Sequence, residues 1–366
     1  MRESFLKLFK GGNADEIVWT ADIFYWMAGK KVAGQVNSEW ENEVGYLQFC
    51  KELGIMPYYW YKKFWLGVPR YTAIDFIESK SVLGSKRYVW KTAVGELWGE
   101  TVFLKESCSE ACAKYPVENE DDLKTLLYIL EHRQMIPDCI EDYHERFELW
   151  VAYGGIPCIA MPRSPLSCFF YEWTGLQNGI YMLMDYPGLV GEILNLMEEQ
   201  EIPILNAVCK LSPPLVHFAD NLSSENFSSL FESFMAEPYK RRLSRLHNAG
   251  IKCAVHLDGT TRGLLPRLAE LGIDAIEALT PYPSGDITSV EMRELINDTN
   301  AILWGGVPGA MFSEPFTWKH MKKHVEDLVQ NWHGTRFIIA VADQVPANGN
   351  IKLVKKVSEL LKSLMT

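Results

Sequence analysis

The sequence predicts an α/β fold of the (β/α)8 TIM-barrel class, because short apolar runs alternate with amphipathic stretches over much of the chain. From residue 215 onward the strand candidates are 215–220, 251–256, 273–278, 301–307 and 336–341. Helical stretches between strands at this spacing require a parallel sheet with helices outside it. Three earlier runs, 17–22, 55–60 and 157–161, bring the expected strand number to eight.

One region departs from this alternation. Within residues 71–115, two strand-like runs at 88–94 and 99–104 are separated by a short stretch that contains Gly95. This pattern predicts an antiparallel hairpin inserted into the barrel. Helical patterns follow at 118–130 and close the chain at 351–364, and Thr288 with Glu291 has the spacing of a capping box. No linker divides the chain, so we expect a single domain over residues 1–366.

Composition and charge exclude several classes of function. The formal net charge is -11 and no basic run compensates it, which argues against a nucleic-acid partner or an anionic membrane. No uncharged run approaches the roughly 18 residues of a membrane span, and the first residues lack the apolar core of a signal peptide. The eight cysteines are scattered. We therefore expect a cytoplasmic protein without a disulfide framework.

The most informative stretch is 251–259, where an apolar strand runs directly into His256, Asp258 and Gly259. Parallel α/β folds place their chemistry at the carboxyl ends of strands. His256 and Asp258 are therefore candidates for metal binding or proton transfer. The alternative is that they cap the next helix or pair with each other.

Other predicted strands would bring carboxylates to the same end of the barrel, the mouth formed by the carboxyl ends of the strands. Asp22 and Asp220 end two predicted strands, Glu277 lies within a third, and Asp343 follows the last. Crowded carboxylates raise one another's pKa, so one of them could remain protonated as a general acid. Helix caps and loop salt bridges are the alternatives for each of them.

Aromatic residues are dense in two predicted loops. Trp60 and Tyr61 follow the second predicted strand, and Phe170 and Tyr171 follow the third. They could line a pocket for a flat apolar ring or bind a methylammonium group by cation–π contact. Core or lid packing is the other interpretation.

The order of short motifs along nearly the whole chain resembles the uroporphyrinogen decarboxylase superfamily, which also contains methyltransferase subunits of corrinoid-dependent demethylation systems. The resemblance implies a (β/α)8 barrel with its active site at the carboxyl ends of the strands. The motifs are Lys91-Thr-Ala-Val-Gly-Glu, Tyr115-Pro-Val-Glu-Asn-Glu-Asp-Asp-Leu, Asp185-Tyr-Pro-Gly-Leu-Val, Phe218-Ala-Asp-Asn, His256-Leu-Asp-Gly and Asp343-Gln-Val-Pro.

The two branches of the superfamily predict different sites. The decarboxylase branch pairs an arginine-rich N-terminal signature with the carboxylates of a tetrapyrrole, and residues 22–31 contain no arginine. The methyltransferase branch holds zinc with a His-x-Cys motif and a further cysteine. Here His256 is retained, and Asp258 and Asp343 occupy the matching cysteine positions. The resemblance thus implies either a harder His/Asp/Asp metal site, with zinc as the candidate ion, or a metal-free acid/base site.

The first functional hypothesis is a methyltransferase that moves a methyl group from an O-methyl or N-methyl small molecule to a corrinoid carried by a partner protein. It assigns His256 as metal ligand or proton donor, Asp258 and Asp343 as its ligand or orienting partners, and Asp220 as a substrate contact. Asp22, Trp60, Tyr61, Phe170, Tyr171 and Glu277 are the predicted substrate-binding residues. The alternatives are a uroporphyrinogen decarboxylase-type reaction and a non-catalytic small-molecule-binding barrel.

Overall fold

The computed structural model describes residues 1–35, 37–81, 84–138 and 140–364. Cys139 lies outside this range, and the seven described cysteines are free thiols. In chain order the strands are β1 (Trp19–Thr20), β2 (Gly67–Tyr71), β3 (Asp75–Lys80), β4 (Lys86–Lys91), β5 (Glu96–Leu104), β6 (Ser109–Lys114), β7 (Arg133–Pro137), β8 (Ile159–Met161), β9 (Leu215–Leu222), β10 (Lys252–Leu257), β11 (Ala275–Leu279), β12 (Ile302–Pro308) and β13 (Phe337–Ala342).

A curved sheet of seven parallel strands forms the centre of the molecule, in the order β1-β13-β12-β11-β10-β9-β8. Each strand pairs in parallel with its neighbour. Its strands are buried on both faces, as a parallel sheet covered by helices requires. The fold is a mixed α/β fold of the TIM-like kind.

The gap between the two edge strands of this sheet is occupied by the chain segment that follows Ile55. Met56 N donates to Trp19 O of β1 at 2.9 Å, and Cys158 N donates to Tyr58 O at 2.7 Å. The predicted second strand at 55–60 is therefore an irregular connection across the gap. Pro57 has no N–H to donate to a ladder, which explains why regular pairing does not form.

The region predicted as an inserted hairpin contains a four-stranded antiparallel sheet, in the order β3-β4-β5-β6. The two predicted runs are its central pair, with Tyr88 opposite Gly99. A separate antiparallel pair, β2 with β7, joins this region to the parallel sheet. Trp90 and Leu97 are buried on the inner side, and the Trp90 ring lies 5.1 Å from that of Trp173.

Helices surround the two larger sheets, and the first helix lies on the inner side of the parallel sheet. They are α1 (Arg2–Phe9), α2 (Phe24–Val32), α3 (Glu43–Leu53), α4 (Glu120–Glu131), α5 (Tyr143–Ala152), α6 (Pro165–Cys168), α7 (Leu176–Asp185), α8 (Pro187–Gln200), α9 (Ile202–Leu211), α10 (Ser224–Phe227), α11 (Ala236–Asn248), α12 (Leu265–Leu271), α13 (Ser289–Leu295), α14 (Trp318–Trp332) and α15 (Lys352–Ser363). The helices predicted at 118–130 and 351–364 correspond to α4 and α15. The predicted capping box of Thr288 and Glu291 is confirmed at the start of α13. None of the described helices is both long and apolar enough to span a membrane.

The inner side of the curved sheet is filled at one end only. Helix α1 inserts Phe5, whose ring meets that of Trp304 edge-on at 5.4 Å. Trp304 is 0% exposed and its Nε1 donates to Thr20 Oγ1 at 2.8 Å. Between the Phe5 and Trp304 rings and the carboxyl ends of the strands, the inward positions carry small residues, among them Ala160 and Ala254. They leave space at the carboxyl ends of the strands.

A buried ion pair between α3 and α5 should contribute more to stability than an exposed pair. Arg146 is 4% exposed and donates Nη2 to Glu43 Oε1 at 2.7 Å, and Trp150 Nε1 donates to the same oxygen. Glu43→Ala leaves the buried guanidinium without its carboxylate, so we expect a loss of about 3 kcal/mol in the free energy of unfolding. Urea denaturation measures this loss.

The matched control is the exposed pair Lys323–Asp327 on α14. Asp327→Ala should cost about 0.5 kcal/mol or less, because solvent screens an exposed i,i+4 pair. Equal losses of unfolding free energy in Glu43→Ala and Asp327→Ala would contradict the assignment of Glu43–Arg146 as a buried, stabilising ion pair.

Candidate active site

Polar side chains from several strand ends converge in a cavity of about 130 Å³ at the carboxyl end of the sheet. His256 on β10 and Glu277 on β11 are direct register partners, so they enter it side by side. His217 projects from the neighbouring strand β9. Asp22 and Asp343 approach from the loops after β1 and β13. Further lining residues are Tyr25, Tyr58, Tyr59, Tyr61, Phe64, Trp65, Arg163, Ala219 and Asn221.

Glu277 is the centre of the cluster. It is 2% exposed, and its Oε2 lies 2.7 Å from His256 Nδ1 and 3.3 Å from His217 Nε2. Tyr58 Oη donates to Oε1 at 3.2 Å. Burial alone would raise the pKa of Glu277, but the charge of His256 and the hydrogen bonds from both imidazoles hold that pKa below its usual range. Glu277 is therefore ionised.

The same contact sets the charge of His256. Burial would lower the pKa of this imidazole, yet the Glu277 carboxylate, with help from Asp343 and Asp258, raises it to about 9. The charged ring thus stabilises the fold fully below the ordinary histidine value of about 6.5. This contribution is lost as the pH rises through about 9. At neutral pH His256 carries two protons.

The second nitrogen of His256 faces the open side of the cavity. Nε2 lies 4.0 Å from Asp343 Oδ1, and the Asp343 side chain is 42% exposed. Partial removal of its carboxyl from water raises the pKa of Asp343, against the effect of the His256 charge. With Nδ1 held by Glu277, the Nε2 proton is the one that a bound molecule can reach.

Asp22 supplies a second acidic group in the wall. Its Oδ1 accepts from Phe24 N at 2.7 Å, and Tyr59 Oη donates to Oδ2. Burial raises the pKa of Asp22 to about 7, although both hydrogen bonds act in the opposite direction. A substantial fraction of Asp22 is therefore protonated at neutral pH, and the residue lines the cavity.

The predicted metal-ligand set of His256, Asp258 and Asp343 is not assembled. The Asp258 side chain folds back, with Oδ1 accepting from Gly259 N at 2.6 Å, and it does not line the cavity. Within the described chain, the potential ligand atoms that lie within 4.8 Å of one another at this mouth belong instead to His217, His256 and Glu277.

The prediction that Asp220 contacts the substrate is wrong. Asp220 is 0% exposed, its Oδ1 accepts from Ser164 N at 2.7 Å, and Tyr239 Oη of α11 donates to Oδ2. Because side chains alternate along a strand, Ala219 and Asn221 line the cavity whereas Asp220 points to the helix layer. The carboxylate is held in the wall and does not reach the cavity.

The predicted aromatic residues separate into two groups. Tyr61 lines the cavity and is 47% exposed. Trp60 and Phe170 are buried and pack on other rings, Trp60 on Tyr46 at 5.0 Å and Phe170 on Phe227 at 5.8 Å. Tyr171 donates its Oη to Asn221 O at 2.9 Å outside this cavity. The predictions for Trp60 and Phe170 were wrong because their rings serve core packing.

A family model described as uroporphyrinogen decarboxylase matches residues 112–364, which is more than half of the chain. The chain belongs to the uroporphyrinogen decarboxylase family. The sequence resemblance is thereby confirmed.

Solved structures add information on the fold of this family member. It is similar to a methyltransferase from Methanosarcina mazei, with a TM-score of 0.62 and 14% identity over 100% of this chain and 99% of that chain. A B12-independent methionine synthase from Shewanella sp. gives a TM-score of 0.43 and 11% identity over 73% of this chain and 75% of that chain. At 14% identity, the likeness to the Methanosarcina mazei protein shows the fold alone. No curated protein sequence matches the chain.

Sequence reasoning did not single out His217 and Arg163, which line the cavity of this family member. His217 had a detectable signal, because it shares the strand parity of Ala219 and Asn221. Arg163 lies in a segment whose path depends on tertiary packing. Arg163 Nη1 donates to Ala219 O at 2.8 Å, so the cavity does contain one arginine.

Removal of the Asp220 carboxylate should test its placement in the wall. Asp220→Ala leaves Ser164 N and the Tyr239 hydroxyl without their buried acceptor, so we expect unfolding to become easier by about 2–4 kcal/mol. Tyr239→Phe, which removes one of the two bonds, should cost about 1 kcal/mol. Thermal and urea unfolding measure both values. An unchanged stability of Asp220→Ala would contradict a wall position.

Proposed function

We propose that this protein transfers a methyl group from an O-methyl or N-methyl small molecule to a corrinoid held by a partner protein. The observation that carries the proposal is the state of His256, with Nδ1 on Glu277 at 2.7 Å and Nε2 facing the cavity. Such a group donates a proton to a leaving oxygen or nitrogen, and methyl transfer to a strong nucleophile requires little else from the protein.

Cobalt(I) of the corrinoid, which is a substrate here, supplies the electron pair of the new bond to the methyl carbon. The bond from that carbon to oxygen or nitrogen breaks, and its electron pair stays on the leaving atom. His256 Nε2 donates its proton to this atom. Glu277 holds the imidazole in position, and solvent returns the proton at the end of the cycle.

The charge of the cavity favours methyl transfer over decarboxylation of a tetrapyrrole, because Asp22, Glu277 and Asp343 line it. Arg163 is the one arginine in its lining, and a substrate with many carboxylates would need several guanidinium groups. Decarboxylation is the alternative reaction, and a product assay with a porphyrinogen distinguishes it.

A metal-dependent form of the same reaction is the second candidate. Two imidazoles and one carboxylate are a ligand set that zinc accepts, and His217, His256 and Glu277 group their ligand atoms within 4.8 Å. Bound zinc would supply a Lewis acid for the leaving atom. Elemental analysis tests this form, because zinc present in the purified protein and absent from His217→Ala would favour it over proton donation.

Replacement of His256 tests the proposal directly. Incubation with cob(I)alamin and a panel of aryl methyl ethers and methylamines should yield methylcobalamin for at least one donor. His256→Ala should lower that rate by about a hundredfold to ten-thousandfold, the usual contribution of a positioned acid. His247→Ala is the matched control, because His247 also pairs with a carboxylate, Asp274, but lies outside the cavity.

The rate should also depend on pH in a defined direction. If His256 acts as the acid, activity falls as the pH rises through about 9. Glu277→Gln removes the negative charge and should move this limb down towards about 6.5. A rate that changes in neither His256→Ala nor Glu277→Gln would contradict the proposal. The absence of methylcobalamin with every donor would contradict it as well.

A further inference from the structure

A buried ion pair joins α11 to the point where α8 ends and α9 begins. Arg242 of α11 and Glu201, the residue between α8 and α9, are 1% and 3% exposed. Arg242 Nε donates to Glu201 Oε2 at 2.7 Å, and Nη2 donates to Oε1. Because the two bonds run from one planar guanidinium to one carboxylate, they fix the orientation of the arginine fork.

The same guanidinium holds the backbone that follows β8. Arg242 Nη2 also donates to Pro162 O at 3.2 Å and to Arg163 O at 3.1 Å. The next residue, Ser164, donates its backbone N to Asp220 Oδ1 at 2.7 Å. Three consecutive residues after β8 are therefore tied to buried polar groups, which restricts the path of this turn.

Helix α11 holds the turn from a single face. Tyr239 and Arg242 are three residues apart, so their side chains leave the same side of the helix. Tyr239 Oη donates to Asp220 Oδ2, and Asp220 is the carboxylate that holds Ser164. One helix thus sets the position of the 162–164 turn relative to the parallel sheet.

The turn carries Arg163, whose side chain lines the cavity that contains His256. Arg163 Nη1 donates to Ala219 O at 2.8 Å, and Nε lies 3.6 Å from Glu172 Oε1. The guanidinium carbon lies 5.7 Å from the Trp65 ring. Nη2 makes no hydrogen bond to any described residue, so its N–H groups are available to a molecule in the cavity.

Stability alone does not account for the Arg242–Glu201 pair. Burial of two charges is costly, and apolar residues of similar volume often stabilise a core equally well. Arg242 Nη1 even lacks a hydrogen-bond partner among the described residues. The bonds that Arg242 does make to the backbone go to the carbonyls on either side of the Arg163 Cα. An apolar contact could not hold these two carbonyls.

We propose that the Arg242–Glu201 ion pair positions Arg163, and that Arg163 contacts the molecule bound beside His256. The two carbonyls held by Arg242 fix the point from which the Arg163 side chain enters the cavity. The contact with a bound molecule rests on the proposed methyl transfer. The positioning itself does not depend on any reaction.

Chemical modification tests the positioning without any substrate. Phenylglyoxal reacts with accessible guanidinium groups, and peptide mass spectrometry of the full-length protein follows Arg163 alone. Arg242→Lys keeps a positive charge for Glu201 but loses the planar fork that also reaches the two carbonyls. We expect Arg163 to be modified roughly three- to tenfold faster in Arg242→Lys, because the turn opens locally.

The neighbouring pair Arg241–Glu198 is the matched control. It joins the same two helices, with Nη2 donating to Oε2 at 2.8 Å, but the Arg241 side chain is 57% exposed and its hydrogen bonds go to Glu198. Arg241→Lys should leave the modification rate of Arg163 unchanged, because this pair does not hold the 162–164 turn.

Glu201→Gln is the second variant, and it keeps the measurement decisive if Arg242→Lys does not fold. It removes the charge that orients the Arg242 fork and preserves the shape of the side chain. Modification of Arg163 should again become faster than in the unmodified protein. Glu198→Gln is the corresponding control and should have no effect.

Kinetics separate positioning from a purely structural role. A smaller folded fraction lowers the apparent kcat and leaves KM unchanged, whereas a displaced Arg163 raises the KM for the methyl donor. We expect Arg242→Lys to raise this KM by roughly tenfold, the value of a hydrogen bond to a charged group. Arg163→Gln should raise it by a similar factor, and the double variant should add nothing, because both changes remove one contact.

The outcomes separate this proposal from methyl transfer. Faster modification of Arg163 in Arg242→Lys or Glu201→Gln, but not in the two control variants, supports the positioning even if no donor yields methylcobalamin. Equal modification rates in these variants and their controls would overturn it. A lower kcat at unchanged KM, or a KM in the double variant equal to the product of the two single effects, would overturn the contact between Arg163 and the donor.

Discussion

The ion pair between Glu277 and His256 is the interaction on which the rest of the site depends. Glu277 is buried at 2% exposure, and a carboxylate in that position is costly unless it is paired and hydrogen-bonded. Two imidazoles and the Tyr58 hydroxyl meet this requirement within 3.3 Å. The arrangement fixes the charge of His256 and leaves one N–H for chemistry at the mouth.

The parallel sheet provides this pair through its register. His256 and Glu277 are direct partners on adjacent strands, so neither a loop nor a flexible side chain has to bring them together. Helix α1 and Trp304 fill the opposite end, and small inward residues such as Ala254 leave the polar end open. The antiparallel sheet β3–β6 lines a second cavity of about 710 Å³ with aromatic rings. This second cavity adjoins the smaller cavity that contains His256.

The strand periodicity predicted most of the parallel sheet and the location of the mouth, because inward and outward positions alternate along buried strands. The same parity indicates that Asp220 faces the helices and that His217 faces the cavity, two assignments that a search for strand-end carboxylates overlooks. The direction of the Asp258 side chain could not be predicted from the sequence, because its carboxylate accepts a local hydrogen bond from Gly259 N beyond the end of β10. The irregular path at Tyr58 and the four-stranded sheet depend on tertiary contacts that local patterns do not encode.

The protonation state of His256 tests the central claim most directly. Heteronuclear NMR of the imidazole nitrogens at about pH 7.5, one unit above the ordinary histidine pKa, should show both nitrogens protonated in the unmodified protein. In Glu277→Gln the same ring should be neutral, because the carboxylate that raises its pKa is gone. A neutral His256 in the unmodified protein at that pH would contradict the account.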